Sequence, residues 1–165
     1  MADAEPTAPL LELLRQLETV LGRTAAPDVT DGHVRWHLCR AATRVEAALP
    51  ILLRAVSQER DPSLASAVVV EVLERLAPQE RAAWVQALDP AVRDFSARRV
   101  QELEALEAVD SGHFTTDEMR RTIDSWTNWL QLRIVAVSDD REILLLFSEL
   151  GRTKRIRNTA LSSLK

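Results

Sequence analysis

Apolar residues recur along this chain at intervals of three and four, the period of an amphipathic helix, and no stretch alternates at the period of two that marks a strand. Leu10, Leu13, Leu14, Leu17 and Leu21 share one face of a helix predicted from about Ala8 to Leu21, capped by Thr7 and ended by Gly22. Arg23 to Val29, which contains Pro27, reads as a linker. Thr30 or Asp31 then opens a long pattern of Val34, Leu38, Ala41, Ala42, Val45, Ala48, Leu49, Leu52, Leu53 and Val56. Its phase survives Pro50, which predicts a kink or a one-residue break there. Asp61–Pro62 is an N-cap followed by proline in the first turn, the start of a helix to about Ala77. Pro78 restarts a short helix carrying Trp84, Val85 and Leu88. Asp89–Pro90 repeats the start, for a helix to about Ala108 whose buried side is Val92, Phe95, Val100, Leu103 and Leu106.

Asp110 to His113 is a loop. Thr115 and Glu118 form a capping box, with Phe114 and Met119 at hydrophobic-staple spacing. The helix they open is predicted to run unbroken to about Val137, with a stripe of Met119, Ile123, Trp126, Leu130, Ile134 and Val137. Ser138 caps the next helix, in which Ile143, Leu144, Leu146, Phe147 and Leu150 predict burial on most sides. Gly151 supplies a left-handed residue to end it. A last helix carries Ile156, Ala160 and Leu164 on one stripe. Nine helical segments with short connections predict an all-α fold of antiparallel hairpins, stacked as a short solenoid or as an irregular bundle. Residues 1–6 are expected to be disordered and 7–165 to form a single all-helical domain: 7–29 the N-terminal helix and linker, 30–165 the hairpin array.

Asp89-Pro90-Ala91-Val92-Arg93, followed by Ser96 and Val100, resembles the start of the second helix of a HEAT repeat, whose pattern is Asp-Pro-x-Val-Arg, then a small residue, then a branched apolar one. Asp61-Pro62-Ser63-Leu64-Ala65 is a copy without the arginine. Thr153-Lys154-Arg155-Ile156-Arg157, with Ala160 and Leu164, is a copy without the aspartate and proline. The copies are unevenly spaced, and no matching start is visible near residue 121, inside the long tryptophan helix. The resemblance covers roughly residues 31–165. It implies a short HEAT-like array and the usual role of such arrays, a scaffold that binds other proteins.

Composition agrees with helices: 4 Gly and 7 Pro in 165 residues. The net charge of −4 argues against a dedicated nucleic-acid binder. One cysteine, Cys39, excludes an internal disulfide and a cysteine-rich zinc site. The charge-free run from Pro62 to Val70 is too short to span a bilayer, and the acidic N-terminus lacks the basic region of a signal peptide. A cytoplasmic location is the expectation, with no membrane association.

Candidate chemistry is sparse. His33 and His37 have the spacing of a metal-ligand pair, but the reading favoured is that they flank the apolar stripe, with no metal or cofactor expected. Cys39 lacks a nucleophile signature and suits a small buried residue. Trp126, Trp129 and Arg133 allow a cation–π contact, although core packing explains Trp126 better. No glycine-rich phosphate loop, Ser-His-Asp order or partnered carboxylate pair is present, so no enzyme is expected. Arg99 falls inside the apolar arc of its helix, where it snorkels or meets an acidic group within the protein or across an interface. Residues 1–110 carry a net charge of −6 and residues 111–165 one of +2. From Arg152 onward there are five basic residues and no acidic one; Arg152, Lys154, Arg155 and Arg157 crowd one helix start. Pairing with Glu142 and Glu149 is the favoured expectation for them, and an anion site the alternative. The leading expectation is a non-enzymatic scaffold that binds another protein or a second copy of itself, through Arg99 and the basic turn. The alternative is a nucleic-acid-associated helical-repeat protein using that basic end.

Overall fold

The computed structural model describes residues 5–23 and 28–164; the expected disorder at 1–4 and the linker residues 24–27 lie outside them. Among the described residues the chain is all-α, with ten α-helices and no strand. In order these are α1 (Ala8–Val20), α2 (Gly32–Ala42), α3 (Leu49–Gln58), α4 (Pro62–Leu73), α5 (Pro78–Ala87), α6 (Arg93–Asp110), α7 (Thr116–Thr122), α8 (Asn128–Val137), α9 (Arg141–Leu150) and α10 (Lys154–Ser163). Single 3₁₀ turns at Glu46–Ala48, Pro90–Val92 and Ile123–Ser125 lead into α3, lead into α6 and follow α7.

The contacts group into two compact units, Met1–Val100 and Gln101–Lys165, and α6 begins in the first and ends in the second. In the first unit each helix packs on its neighbour and on its next-but-one: α1 on α3, α3 on α5, α2 on α4, and α4 on the first turn of the α6 segment. The core between these two rows is built from Leu14 and Leu17 of α1, Leu38 of α2, Leu52 of α3, Val68 and Val72 of α4 and Trp84 of α5. The second unit repeats the scheme, α7 on α9 and α8 on α10, around Met119, Ile123, Trp126, Leu130, Ile134 and Phe147.

Helix starts follow the cap chemistry. Asp31, Asp61 and Asp89 each accept backbone N–H bonds from residues two or three further on, and Thr115, Thr127 and Thr153 from the residue three further on. In the Thr115–Glu118 box, the Thr115 N–H and hydroxyl donate to the Glu118 carboxylate and hold its pKa below the usual range.

A second regularity concerns the residue four after the cap. A helical side chain leans toward the N-terminus, so at this position it points back at the preceding turn. Arg35, Arg81, Arg93, Gln131 and Arg157 all stand there, four beyond Asp31, Ala77, Asp89, Thr127 and Thr153. Each donates to carbonyls of the preceding segment: Arg35 to Val29 and Thr30, Arg81 to Leu73, Arg93 to Gln86 and Leu88, Gln131 to Ile123 and Trp126, and Arg157 to Gly151. The last carbonyls of a helix have no partner within it, and at these five starts the side chain helps to close the turn. The arginine of the Asp-Pro-x-Val-Arg segment is one of them.

Several expectations are corrected. The long pattern after Asp31 is two helices, broken at Thr43–Val45, where Val45 is extended (φ −119°, ψ 109°). Pro50 sits in the first turn of α3, where its missing N–H costs nothing, so it starts a helix rather than kinking one. The predicted helix from Thr115 to Val137 is also two: Trp126 is extended, and Thr127 caps α8. The sequence conceals this helix start. Ser138 ends α8, and Asp140 is the cap of α9, accepting from Glu142 and Ile143. Helix α9 does have a wet face, with Leu145 and Leu150 exposed. Gly151 is not left-handed (φ −53°, ψ 132°); a Cβ there would meet the Phe147 carbonyl oxygen at 2.5 Å and Ile156 Cγ2 at 2.7 Å. Close approach, not a positive φ, requires glycine. Gly22, at φ 66°, does end α1 in the left-handed region.

Candidate functional site

The basic turn lies between α9 and α10. Arg152, Lys154 and Arg155 are exposed. Arg157 is half-buried and donates at 2.6 Å to the Gly151 carbonyl, so its charge is spent on closing the turn. The Arg152 N–H donates to Gln131 Oε1 at 3.0 Å, which locks the turn against α8. Among the described residues, none of the four basic side chains forms an ion pair with Glu142 or Glu149, contrary to the favoured expectation.

Arg99 stands apart from that turn. It is buried on α6, with Nη1 3.8 Å from Glu74 Oε1 and its guanidinium 6.0 Å from the centre of the Phe95 ring. The acidic group it meets is therefore internal.

Phe95 overturns another expectation. The buried face of α6 carries Ser96, Arg99, Glu102 and Leu103, which turns Phe95 outward with 56% of its surface exposed. It forms one wall of a groove of ≈ 480 Å³ between α4 and the start of α6, whose other lining includes Pro62, Ser66, Ala67 and Val92. Ala67 also lines a second depression, of ≈ 440 Å³, bounded by Val70, Glu71, Glu74 and Arg75. Glu71 holds Arg40 at 3.1 Å, so the charges beyond the apolar end are partly matched already.

A larger cleft, ≈ 660 Å³, lies where α3 and α5 end and α4 begins. Most of its charged groups are committed to structure, Arg60 being the exposed exception. Glu59 accepts from Arg35 Nε at 3.1 Å and from the Asp61 N–H at 3.0 Å, Asp89 caps Ala91, and Arg93 holds two carbonyls.

The remaining candidates are placed as follows. Cys39 is buried beside the Arg35–Glu59 pair, and burial first, then the Glu59 charge, push its thiol pKa up to about 12, so it stays a neutral thiol at ordinary pH. His33 and His37 do not pack against the apolar stripe; both are exposed, with their rings in edge contact. Among the described residues no group of three His, Cys, Asp or Glu could hold a metal ion, and no helix is long and apolar enough to cross a membrane. Trp126 is buried against Phe114 and Phe147, and the Arg133 guanidinium lies 5.8 Å from the Trp129 ring centre.

Sequence reading missed two features: the outward Phe95, and the buried Arg35–Glu59 pair. The second had a signal, since Arg35, Leu38, Cys39 and Ala42 fall at helical positions i, i+3, i+4 and i+7 of one face. Compared with known proteins, the chain matches no family model, no curated protein and no solved structure.

Proposed function

We propose that this protein is a non-enzymatic helical module of HEAT-like type that binds another protein, and that the groove beside Phe95 receives an apolar side chain of that partner. The observation that carries the proposal is the exposed Phe95 ring over a small-residue floor. A large aromatic left outside a core, beside a pocket a side chain can fill, has the make-up of an interface anchor. The next-but-one packing of helices in each unit supports stacked hairpins, as do the Asp caps at 31, 61 and 89 and the hidden start at Thr127. Phe95→Glu is expected to leave stability within about 0.5 kcal/mol, because the ring is mostly in water already. It should remove the stoichiometric partner recovered from native lysate by the unsubstituted protein, and sedimentation of each pure protein separates a second copy from a different chain. Recovery of the same partner by both proteins would overturn the assignment.

The second reading, nucleic-acid association, rests on the exposed Arg152, Lys154 and Arg155, which form no ion pair among the described residues. Three phosphate contacts would give a log–log salt slope near −3, abolished by Arg152→Glu with Arg155→Glu at unchanged melting temperature. The net charge of −4 opposes this reading, and no submicromolar complex with duplex DNA is expected at physiological salt. Such a complex would promote the second reading over the first.

A further inference from the structure

Two surfaces of this chain each lack what the other holds. The first is the groove beside Phe95, in the first unit. Apart from Asp94 its lining residues are apolar or small, and the Asp94 carboxylate is exposed and forms no ion pair among the described residues. The groove shares Ala67 with the depression lined by Glu71, Glu74 and Arg75, so the whole strip carries three carboxylates against one arginine. Glu71 already meets Arg40 and Glu74 already meets Arg99, which leaves Asp94 as the carboxylate without a cation. The second surface is the turn between α9 and α10, in the second unit. Leu150 is 38% exposed there, directly before the buried Gly151. Arg152, Lys154 and Arg155 follow it, exposed and with no ion pair among the described residues. These cations stand at the start of a helix, where its dipole disfavours positive charge and a facing carboxylate offsets that cost.

Building on the groove as a docking site, we infer that its occupant is the α9–α10 turn of a second copy of this chain. Leu150 of one copy lies against the Phe95 ring of the next, and Arg152 and Arg155 face Asp94. The groove, at ≈ 480 Å³, has room for a leucine side chain. An exposed leucine beside unpaired cations matches an exposed aromatic ring beside an unpaired carboxylate in both polarity and sign. The net charge of −4 disfavours a polyanion at the same turn, whereas one carboxylate on an apolar floor does not meet that repulsion. The two surfaces differ, so the contact is heterologous: each pair leaves one groove and one turn open, and addition continues into a ring or an open chain.

The test is sedimentation velocity of the full chain at rising concentration, with circular dichroism of every variant to show that the helices persist. The unsubstituted protein should form species larger than a monomer by about 0.1 mM, roughly a hundred times a micromolar Kd. Raising the salt from about 0.1 M to 1 M shortens the screening length from about 10 to 3 Å, and should weaken the association by roughly tenfold. Phe95→Glu spoils only the groove, and Arg152→Glu with Arg155→Glu spoils only the turn, so each protein alone should stay monomeric. Mixed in equal amounts, the two should form a one-to-one dimer and nothing larger, because one sound groove meets one sound turn and the surfaces left over are both spoiled. A monomer throughout, undiminished self-association in either variant, or no dimer in the mixture would each overturn the second copy as occupant. The groove itself is judged separately. If the unsubstituted protein is monomeric and Phe95→Glu still loses the partner recovered from lysate, the groove stands and a different chain fills it.

Discussion

Replacing Arg35 by methionine should destabilise the protein by about 3–5 kcal/mol, the range for removing one partner of a buried ion pair. The side chain is fully buried, and so is that of Glu59 at 3% exposure. Arg35 donates through Nε to Glu59 and through Nη1 to the Val29 and Thr30 carbonyls at 3.2 and 2.7 Å. Glu59 spends its other oxygen on the Asp61 N–H, at the start of α4. Methionine fills a similar volume but leaves a carboxylate and two carbonyls without their donor. Against a total of roughly 5–15 kcal/mol, that loss is a large part of the stability. Arg35→Met with Glu59→Met should recover much of it, because the stranded charge is gone, whereas Arg35→Lys should not, since one ammonium cannot span both sets of acceptors. Urea unfolding of the four proteins settles the matter. A single-variant cost under ~1 kcal/mol would mean that the pair contributes little beyond its burial.

The same ion pair shows where sequence reading stops. Period and caps were enough for the all-α class and for the starts at Thr7, Asp61 and Thr115, because a cap is a local bond between residues two or three apart. The partner of Arg35 is 24 residues away, and only the fold brings it there. The two missed breaks have a common cause. Apolar residues continue in helical phase through Thr43–Val45 and through Trp126, so periodicity alone cannot see the turn. At the second, the interruption is held by Gln131, a polar residue that donates to Ile123 and Trp126 and accepts from Arg152. A buried glutamine with every group satisfied looks from sequence like a surface residue.

The candidate site was less legible. Of the basic residues singled out, Arg157 and Arg99 turn inward, to the Gly151 carbonyl and to Glu74, while Arg152, Lys154 and Arg155 stay exposed. Phe95 was assigned to the core on phase, and the error follows from Ser96, Arg99 and Glu102: the buried arc of α6 is largely polar, so hydrophobicity pointed to the wrong side of the helix.

Trp126→Ala should cost about 3–5 kcal/mol and lower the melting temperature by at least ~6 °C. The indole is 9% exposed, held between Phe114, at 5.6 Å and 61°, and Phe147, at 6.3 Å and 19°. It belongs to the cluster that joins α7, α8, α9 and α10, so its removal leaves a cavity in the core of the second unit. The backbone makes collapse into that cavity hard: Trp126 sits in the extended link that ends the Ile123–Ser125 turn, and its carbonyl is held by Gln131 Nε2 at 3.2 Å. Trp126→Phe keeps one ring between the two neighbours and should cost clearly less than the alanine variant. An unchanged melting temperature in Trp126→Ala would mean that the indole does not anchor this core, and Trp126 would then join Phe95 among the surfaces offered to a partner.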